Sequence, residues 1–289
     1  MTVKWTVRAA LTDERRARRK MSLRQVWAAA QRISVSQGMR NSMHRFFADE
    51  AGIQNGTARL NEEDSRHALR VLRLEVGDEV ELVCEPEHYL AGIAEIDDGI
   101  VTVAIRGELR PTEAKTQVTL YQGLPKADKM ELIAQKTTEL GVHAIRPVAM
   151  ERCVVKLEGK DAAKKVERWQ KIAREAVKQC ARTAVPEVLE VKKLTQLADE
   201  FARLDVLIVP WEVARDGSIR AALAPFAGKE DLRVGILIGP EGGISEKEAT
   251  WLAEQAGAKL VTLGPRILRT ETAALASLTM VMACCGEME

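Results

Sequence analysis

Four charged residues sit in two short glycine-bearing stretches near the C-terminus: Glu241 in IGPEGG at 238–243, and Arg266, Arg269 and Glu271 in LGPRILRTETA at 263–273. Each stretch follows a short apolar run and leads into a helix. A strand that ends in Gly-Pro and then bares backbone amides at a helix start can hold a ligand through its main chain. The glycines could serve tight turns alone, but four charges beside buried strands need partners or a ligand. Two such turns within one α/β unit predict one pocket built from both.

Missing motifs narrow the chemistry of that pocket. There is no G-x-x-x-x-G-K-[ST], so phosphoryl chemistry on a P-loop has no support. No G-x-G-x-x-G follows a strand, which argues against a dinucleotide site. Within GPEGGISEKEA, Ser245 and Glu248 form a capping box that starts a helix. Thr270 opens the last helix, whose body AALASLTMVMA is small and apolar. Such a helix is buried on most sides, by its own domain or by a second subunit.

These stretches need a scaffold to position them, and the pattern supplies one. From residue 113 onward the apolar runs VTLYQGL, VHAIRPVAM, LDVLIVP, LRVGILIGP and AKLVTLGP read as strands. They alternate with helices, one at 128–140 stopped by Gly141 and a long one around 162–182. That alternation predicts a largely parallel sheet with helices on both faces. Residues 43–112 differ: short stretches alternating apolar and polar residues, separated by turn signals, predict a small β-barrel. Asn61 is a plausible N-cap for a helix within it.

At 289 residues, with 46% hydrophobic and 29% charged, the chain reads as a two-domain globular protein. No apolar run reaches membrane-spanning length, and the N-terminus lacks the apolar core of a secretory signal. The five cysteines lack metal-ligand spacing, so free thiols, no metal and a cytoplasmic location are expected.

The net charge of +1 conceals three regions. Residues 1–42 carry 10 Lys/Arg against 2 acids, and residues 43–112 carry 7 against 15. The basic extension admits three readings: an RNA-binding arm, an organelle transit peptide, or a disordered stretch upstream of a true start at Met43. In the acidic barrel, Arg66, Arg70 and Arg73 fall on one helical face with His67 beside them. They form either a phosphate-contacting stripe or a solvated face paired with local acids. On the long helix, Lys164, Arg168, Lys171, Lys178 and Arg182 line one side, and Gln179 with Arg182 could reach a base edge or phosphate.

Longer motifs then make the chain recognisable. HRFF at 44–47, HALRVLR at 67–73, KADKMELIAQKTTELGV at 126–142, ERCVVKL at 151–157 and QCAR at 179–182 are followed by LIGPEGGISEKE at 237–248 and LGPRILRTETAAL at 263–275. In this order they resemble the RsmE-like family of SPOUT methyltransferases, which methylate N3 of a uridine in small-subunit ribosomal RNA with S-adenosylmethionine. The resemblance runs from Met43 onward and leaves out residues 1–42. At Lys178 the family usually has Glu.

The resemblance implies a PUA-like barrel for 43–112 and a trefoil-knotted α/β methyltransferase domain for 113–289. It implies that S-adenosylmethionine is held by three loops: Pro210, Trp211 and Glu212; Ile238, Gly239, Pro240, Gly242 and Gly243; and Leu263, Gly264, Pro265, Ile267 and Leu268. It implies Arg269 as stabiliser of the uridine anion and Glu241 as base or orienter, unless Glu241 only fixes its loop. For RNA it implies Arg45, His67, Arg70, Arg73, Lys126, Lys129, Gln179 and Arg182. The implied partners are the small ribosomal subunit and a second copy of the chain. A ribose- or transfer-RNA-directed SPOUT enzyme, or a non-catalytic assembly factor, would be the alternatives.

Overall fold

The structure, a computed structural model, describes residues 43–48, 53–54, 56–84, 87–109 and 112–288; the readings of residues 1–42 therefore lie outside the described residues. The N-terminal domain is built from β1 (Arg45–Phe47), β2 (Ile53–Gln54), β3 (Thr57–Arg59), β4 (Glu79–Cys84), β5 (Glu87–Asp97) and β6 (Ile100–Glu108). Their order is β1-β4-β5-β6-β3-β2, with β1 parallel to β4 and the other pairs antiparallel. Register shifts at Leu90/Ala91 and Ile93/Glu95 bend β5 and β6 around a core that includes Phe46, Leu82, Ile93 and Val103. β1 and β2 do not pair with each other among the described residues, so the barrel stays open along that seam.

Helix α1 (Glu62–Arg66) starts at Asn61, whose Oδ1 accepts from the Asp64 amide at 2.8 Å. It then widens into a π-helical turn over His67–Val71, and Arg73 takes a left-handed φ of +55°. The expected one-face spacing of Arg66, Arg70 and Arg73 is therefore broken. Ala68 is fully buried here, and Leu69, Leu72 and Leu74 pack against the barrel core.

The C-terminal domain is a seven-stranded parallel sheet: β7 (Gln117–Gly123), β8 (Ala144–Ala149), β9 (Glu187–Val188), β10 (Lys192–Lys193), β11 (Val206–Pro210), β12 (Arg233–Ile238) and β13 (Lys259–Val261). The order is β10-β8-β7-β12-β11-β13, with β9 also pairing β8. The five longer strands are those the apolar runs predicted. β9 and β10 have two residues each, too short to carry a pattern. Successive residues of each strand feed opposite faces: Ile208 and Ile236 join one core with Leu120 and Leu278, while Leu207, Val209 and Leu237 join the other with Tyr121 and Leu252.

Helices α2 (Lys129–Glu139), α3 (Gly159–Cys180), α4 (Ala198–Phe201), α5 (Ile219–Leu223), α6 (Glu246–Gln255) and α7 (Thr270–Cys284) cover those faces. No helix among the described residues is long and apolar enough to cross a membrane. The chain's last crossing positions the site. β13 pairs with the outer edge of β11, and α7 departs from there to pack back against α2, α5, β12 and β7. The loop after β11 closes over this departure: Trp211 N donates to Val261 O at 3.0 Å, and Thr262 N to Gly217 O at 3.3 Å.

A buried ionic junction joins the two domains. α3 ends at Ala181 in the left-handed region, φ +65°. Two carbonyls beyond that end are capped from outside the helix: Ala181 O by Thr112 Oγ1 at 2.8 Å, and Arg182 O by Arg45 Nη1 at 2.9 Å. Arg182 itself is 7% exposed and donates to Val142 O at 2.8 Å, Thr138 O at 3.1 Å and Glu113 Oε2 at 2.5 Å. Arg45 pairs with buried Glu81, which His88 Nε2 also approaches at 3.2 Å. Arg45 and Arg182, expected on the RNA surface, are thus occupied inside the protein, because a buried guanidinium must spend its donors on internal acceptors. Lys178, at the position where the family usually carries Glu, faces Asp64 of the barrel at 3.8 Å.

Burial works to raise the Glu113 carboxyl. The hydrogen bond and charge of Arg182, with the Ala184 and Thr183 amides, outweigh it and hold the group below the ordinary 4.5. A carboxyl lowered by folding contributes stability that is complete above its unfolded pKa and is lost as the pH falls through the lower folded value. Glu113→Gln should therefore cost about 3 kcal/mol at neutral pH in urea denaturation. It should also flatten the acid limb of the Tm profile below about pH 4.5.

Candidate functional site

β11, β12 and β13 end side by side, and the loops that follow them meet at one edge of the sheet. Backbone groups beyond the ladder lose their strand partners and need others. The loops supply these to one another. Trp211 Nε1 donates to Ile244 O at 3.3 Å, Gly243 N to Pro240 O at 2.9 Å, and Thr270 Oγ1 to Gly239 O at 2.7 Å. Pro210, Trp211 and Glu212 face Leu263, Gly264, Pro265, Ile267 and Leu268 across a cleft of about 410 Å³.

The loop carrying Ile238, Gly239, Pro240, Gly242 and Gly243 abuts the first of these walls rather than lining the cleft. It is packed from behind by the protein itself. A Cβ at Gly242 would lie 2.9 Å from Arg152 Cβ, and one at Gly243, which has φ +71°, would lie 2.5 Å from Glu212 Oε1. Arg152 Nη1 also donates to Gly242 O at 3.1 Å. Gly264, at φ +98°, is different: a Cβ there would meet no protein atom within 4 Å.

Glu241 is pinned. Its oxygens accept the Lys126 amide at 3.0 and 3.2 Å, and Oε1 pairs with Lys129 Nζ at 2.9 Å. Lys129 also pairs with Glu271 at 3.2 Å. Desolvation pushes the Glu241 carboxyl up, but the Lys129 hydrogen bond and the backbone amides of Glu241 and Lys126 pull it further down. Arg269 stands at the N-cap position of α7, its carbonyl accepting from Ala273 N at 2.8 Å. Its exposed side chain, like that of Arg266 on the cleft wall, has no hydrogen-bond or ion-pair partner among the described residues. Two uncommitted guanidinium groups suit stabilisation of negative charge on a bound group.

The expected RNA residues separate into three places. Arg70 and Arg73 are exposed on the barrel, and His67 and Gln179 line a polar cleft of about 510 Å³ between barrel and α3. Lys126 is exposed near Glu241, while Lys129 is held in the carboxylate cluster. Arg45 borders the polar cleft but, with Arg182, belongs to the junction. Sequence reasoning passed over Glu113, which has no periodic signature, and Gln122, a polar residue inside the apolar run VTLYQGL that was visible as an exception.

Two family models place the chain in the class of RNA methyltransferases. The family model for the RNA methyltransferase domain matches residues 112–282, and that for the RNA methyltransferase PUA domain matches residues 60–106. The chain is similar to the ribosomal RNA small subunit methyltransferase E of Bacillus subtilis (strain 168), with 38% identity over 76% of this chain and 87% of that protein. Among solved structures, a putative methyltransferase from Legionella pneumophila in complex with S-adenosylmethionine matches at 33% identity and a TM-score of 0.70, over 83% of this chain and 97% of that one. The ribosomal RNA small subunit methyltransferase E of Neisseria gonorrhoeae, bound to S-adenosylmethionine, matches at 33% identity and a TM-score of 0.67, with the same coverage. The chain belongs to the RsmE family of RNA methyltransferases.

The tight backing of Gly242 generates a test. Gly242→Ala should force the loop off Arg152 and lower stability by about 1–3 kcal/mol, as overpacking does. The shift in urea midpoint at constant m-value reads it.

Proposed function

We propose that this protein transfers a methyl group from S-adenosylmethionine to N3 of a specific uridine in small-subunit ribosomal RNA, acting as a homodimer on the assembled subunit in the cytoplasm. The observation that carries the proposal is the cleft between 210–212 and 263–268, in a chain whose relatives are small-subunit ribosomal RNA methyltransferases and bind that cofactor. The cleft's composition fits a nucleoside with a short polar tail: apolar walls at Pro210, Leu263 and Leu268, backbone polar groups from both loops, and open space at Gly264. Pro210, Trp211, Glu212, Leu263, Gly264, Pro265, Ile267 and Leu268 would hold the cofactor. Ile238, Gly239, Pro240, Gly242 and Gly243 would brace the cleft wall and carry Glu241. S-adenosylmethionine supplies an electrophilic methyl when bound.

Uridine N3 is a weak nucleophile until its proton leaves, and the resulting negative charge spreads over the flanking carbonyls. The free guanidinium of Arg269 is suited to that charge, since it stays ionised and can bridge two acceptors. For Glu241, filled acceptor sites and a lowered pKa favour fixing the loop over taking the proton. Arg70, Arg73, His67 and Gln179 are the exposed candidates for RNA contact, with Lys126 nearer the cleft. N3 is consumed in base pairing, so the target uridine must be unpaired or turned out. The path of the chain through β11, β13 and α7 supports the trefoil knot that the resemblance implies. The partly uncovered apolar side of α7, where Met280 is 39% exposed, supports dimer formation.

Nucleoside mass spectrometry of small subunits from a strain lacking the activity, after incubation with the protein and S-adenosylmethionine, should reveal 3-methyluridine. A methyl group on ribose, or none, would overturn the proposal. Arg269→Ala should reduce kcat by a factor of about 10²–10³, the loss expected for one electrostatic stabiliser. Cofactor affinity by isothermal titration should remain near wild type.

A further inference from the structure

Gln122 is fully buried near the end of β7, in register with Ile238, the residue before the glycine-rich loop. Its Nε2 donates to Thr270 Oγ1 at 2.9 Å and to Gly123 O at 3.0 Å. Thr270 Oγ1 in turn donates to Gly239 O at 2.7 Å. A hydroxyl has one proton, and here it goes to Gly239 O, so the Thr270 oxygen can only accept from Gln122. That fixes which way the carboxamide points. It also leaves Gln122 Oε1 buried with no partner.

An orphaned buried carbonyl is destabilising, and an apolar side chain of the same length would avoid the loss. Fold stability alone therefore does not account for Gln at this position. What the carboxamide provides is a link between three segments far apart in sequence: the end of β7, the loop after β12, and the first residue of α7. Thr270 is next to Arg269, so the link relates Gly239 to the N-cap residue that carries the free guanidinium. The end of β7 is also the seat of Pro240: a Cβ at Gly123 would lie 2.7 Å from Pro240 Cδ.

We infer that Gln122 is a positioning residue, which orients the Thr270 hydroxyl so that the 238–243 loop and Arg269 keep one fixed relation beside the cleft. The inference rests on the methyltransferase reading for its effect on cofactor and rate, but not for its effect on the loop.

The test uses the full chain with Gln122→Met, Thr270→Val, the double variant, and Thr270→Ser. Gln122→Met should fold with at least wild-type stability in urea, because it removes the orphan. In the ligand-free protein, hydrogen exchange at the Gly243 and Ala273 amides should nonetheless quicken about tenfold. S-adenosylmethionine affinity and kcat should each fall about tenfold, and Thr270→Val should do the same. The double variant should be no worse than either single one, since both break one relay, and Thr270→Ser, which keeps the hydroxyl, should stay close to wild type. Wild-type exchange at both amides in Gln122→Met would overturn the inference, as would additive losses in the double variant. If the wild-type protein neither binds S-adenosylmethionine nor methylates RNA, the functional reading fails while the exchange result still decides the role of Gln122.

Discussion

Backbone groups that leave a parallel sheet must find partners where no strand remains to supply them, and the candidate site is organised around this constraint. Three loops leave the sheet side by side, and each satisfies another. Trp211 reaches Val261 and Ile244, Thr262 reaches Gly217, and Thr270 reaches Gly239. The cleft exists because the loops cannot move independently. Its loops are held by main-chain bonds and by the Trp211 and Thr270 side chains together. The glycines serve this closure first: Gly242 and Gly243 let Arg152 and Glu212 approach, and Gly264 leaves room on the open side.

Charge is used in two ways in this chain. At the junction, Arg182 with Glu113 and Arg45 with Glu81 are buried pairs whose donors also reach carbonyls near helix ends, Arg45 to Arg182 O beyond α3 and Arg182 to Thr138 O and Val142 O at the end of α2. Buried pairs of this kind contribute more to a unique geometry than to net stability, and the geometry they define is that of the barrel against the sheet domain. Near the cleft, Lys129 pairs with both Glu241 and Glu271, while Arg266 and Arg269 are left uncommitted. A protein that must meet a polyanion thus keeps free cations at its edges and commits others to holding its two halves together. Lys178 extends the second use, since its ammonium faces Asp64 across the domain boundary.

Much of this could be read from local pattern. The five apolar runs, the capping box at Ser245 and Glu248, the N-cap at Asn61 and the position of Gly141 after α2 all depend on interactions a few residues long, and all occur as expected. The two glycine-bearing stretches were expected to build one pocket together, but they follow β12 and β13, which β11 separates, and only the second lines the cleft. Charged residues were harder. The α-helical spacing of Arg66, Arg70 and Arg73 failed because tertiary packing of Leu69, Leu72 and Leu74 widened the turn between them. Arg45 and Arg182 looked like surface cations because a guanidinium in a sequence carries no sign of whether its partner is solvent, RNA or a distant carboxylate.

The sequence by itself determined the strands, most helix boundaries and the family, because hydrophobic periodicity, caps and long motifs are local or linear signals. Only the tertiary structure decided which charges are free and which are consumed. It also decided that the 238–243 loop supports the cleft from one side, and that Gln122 reaches Thr270 across 148 positions of the chain. These are contacts between residues far apart in sequence, and their energies depend on burial and geometry that no single segment encodes.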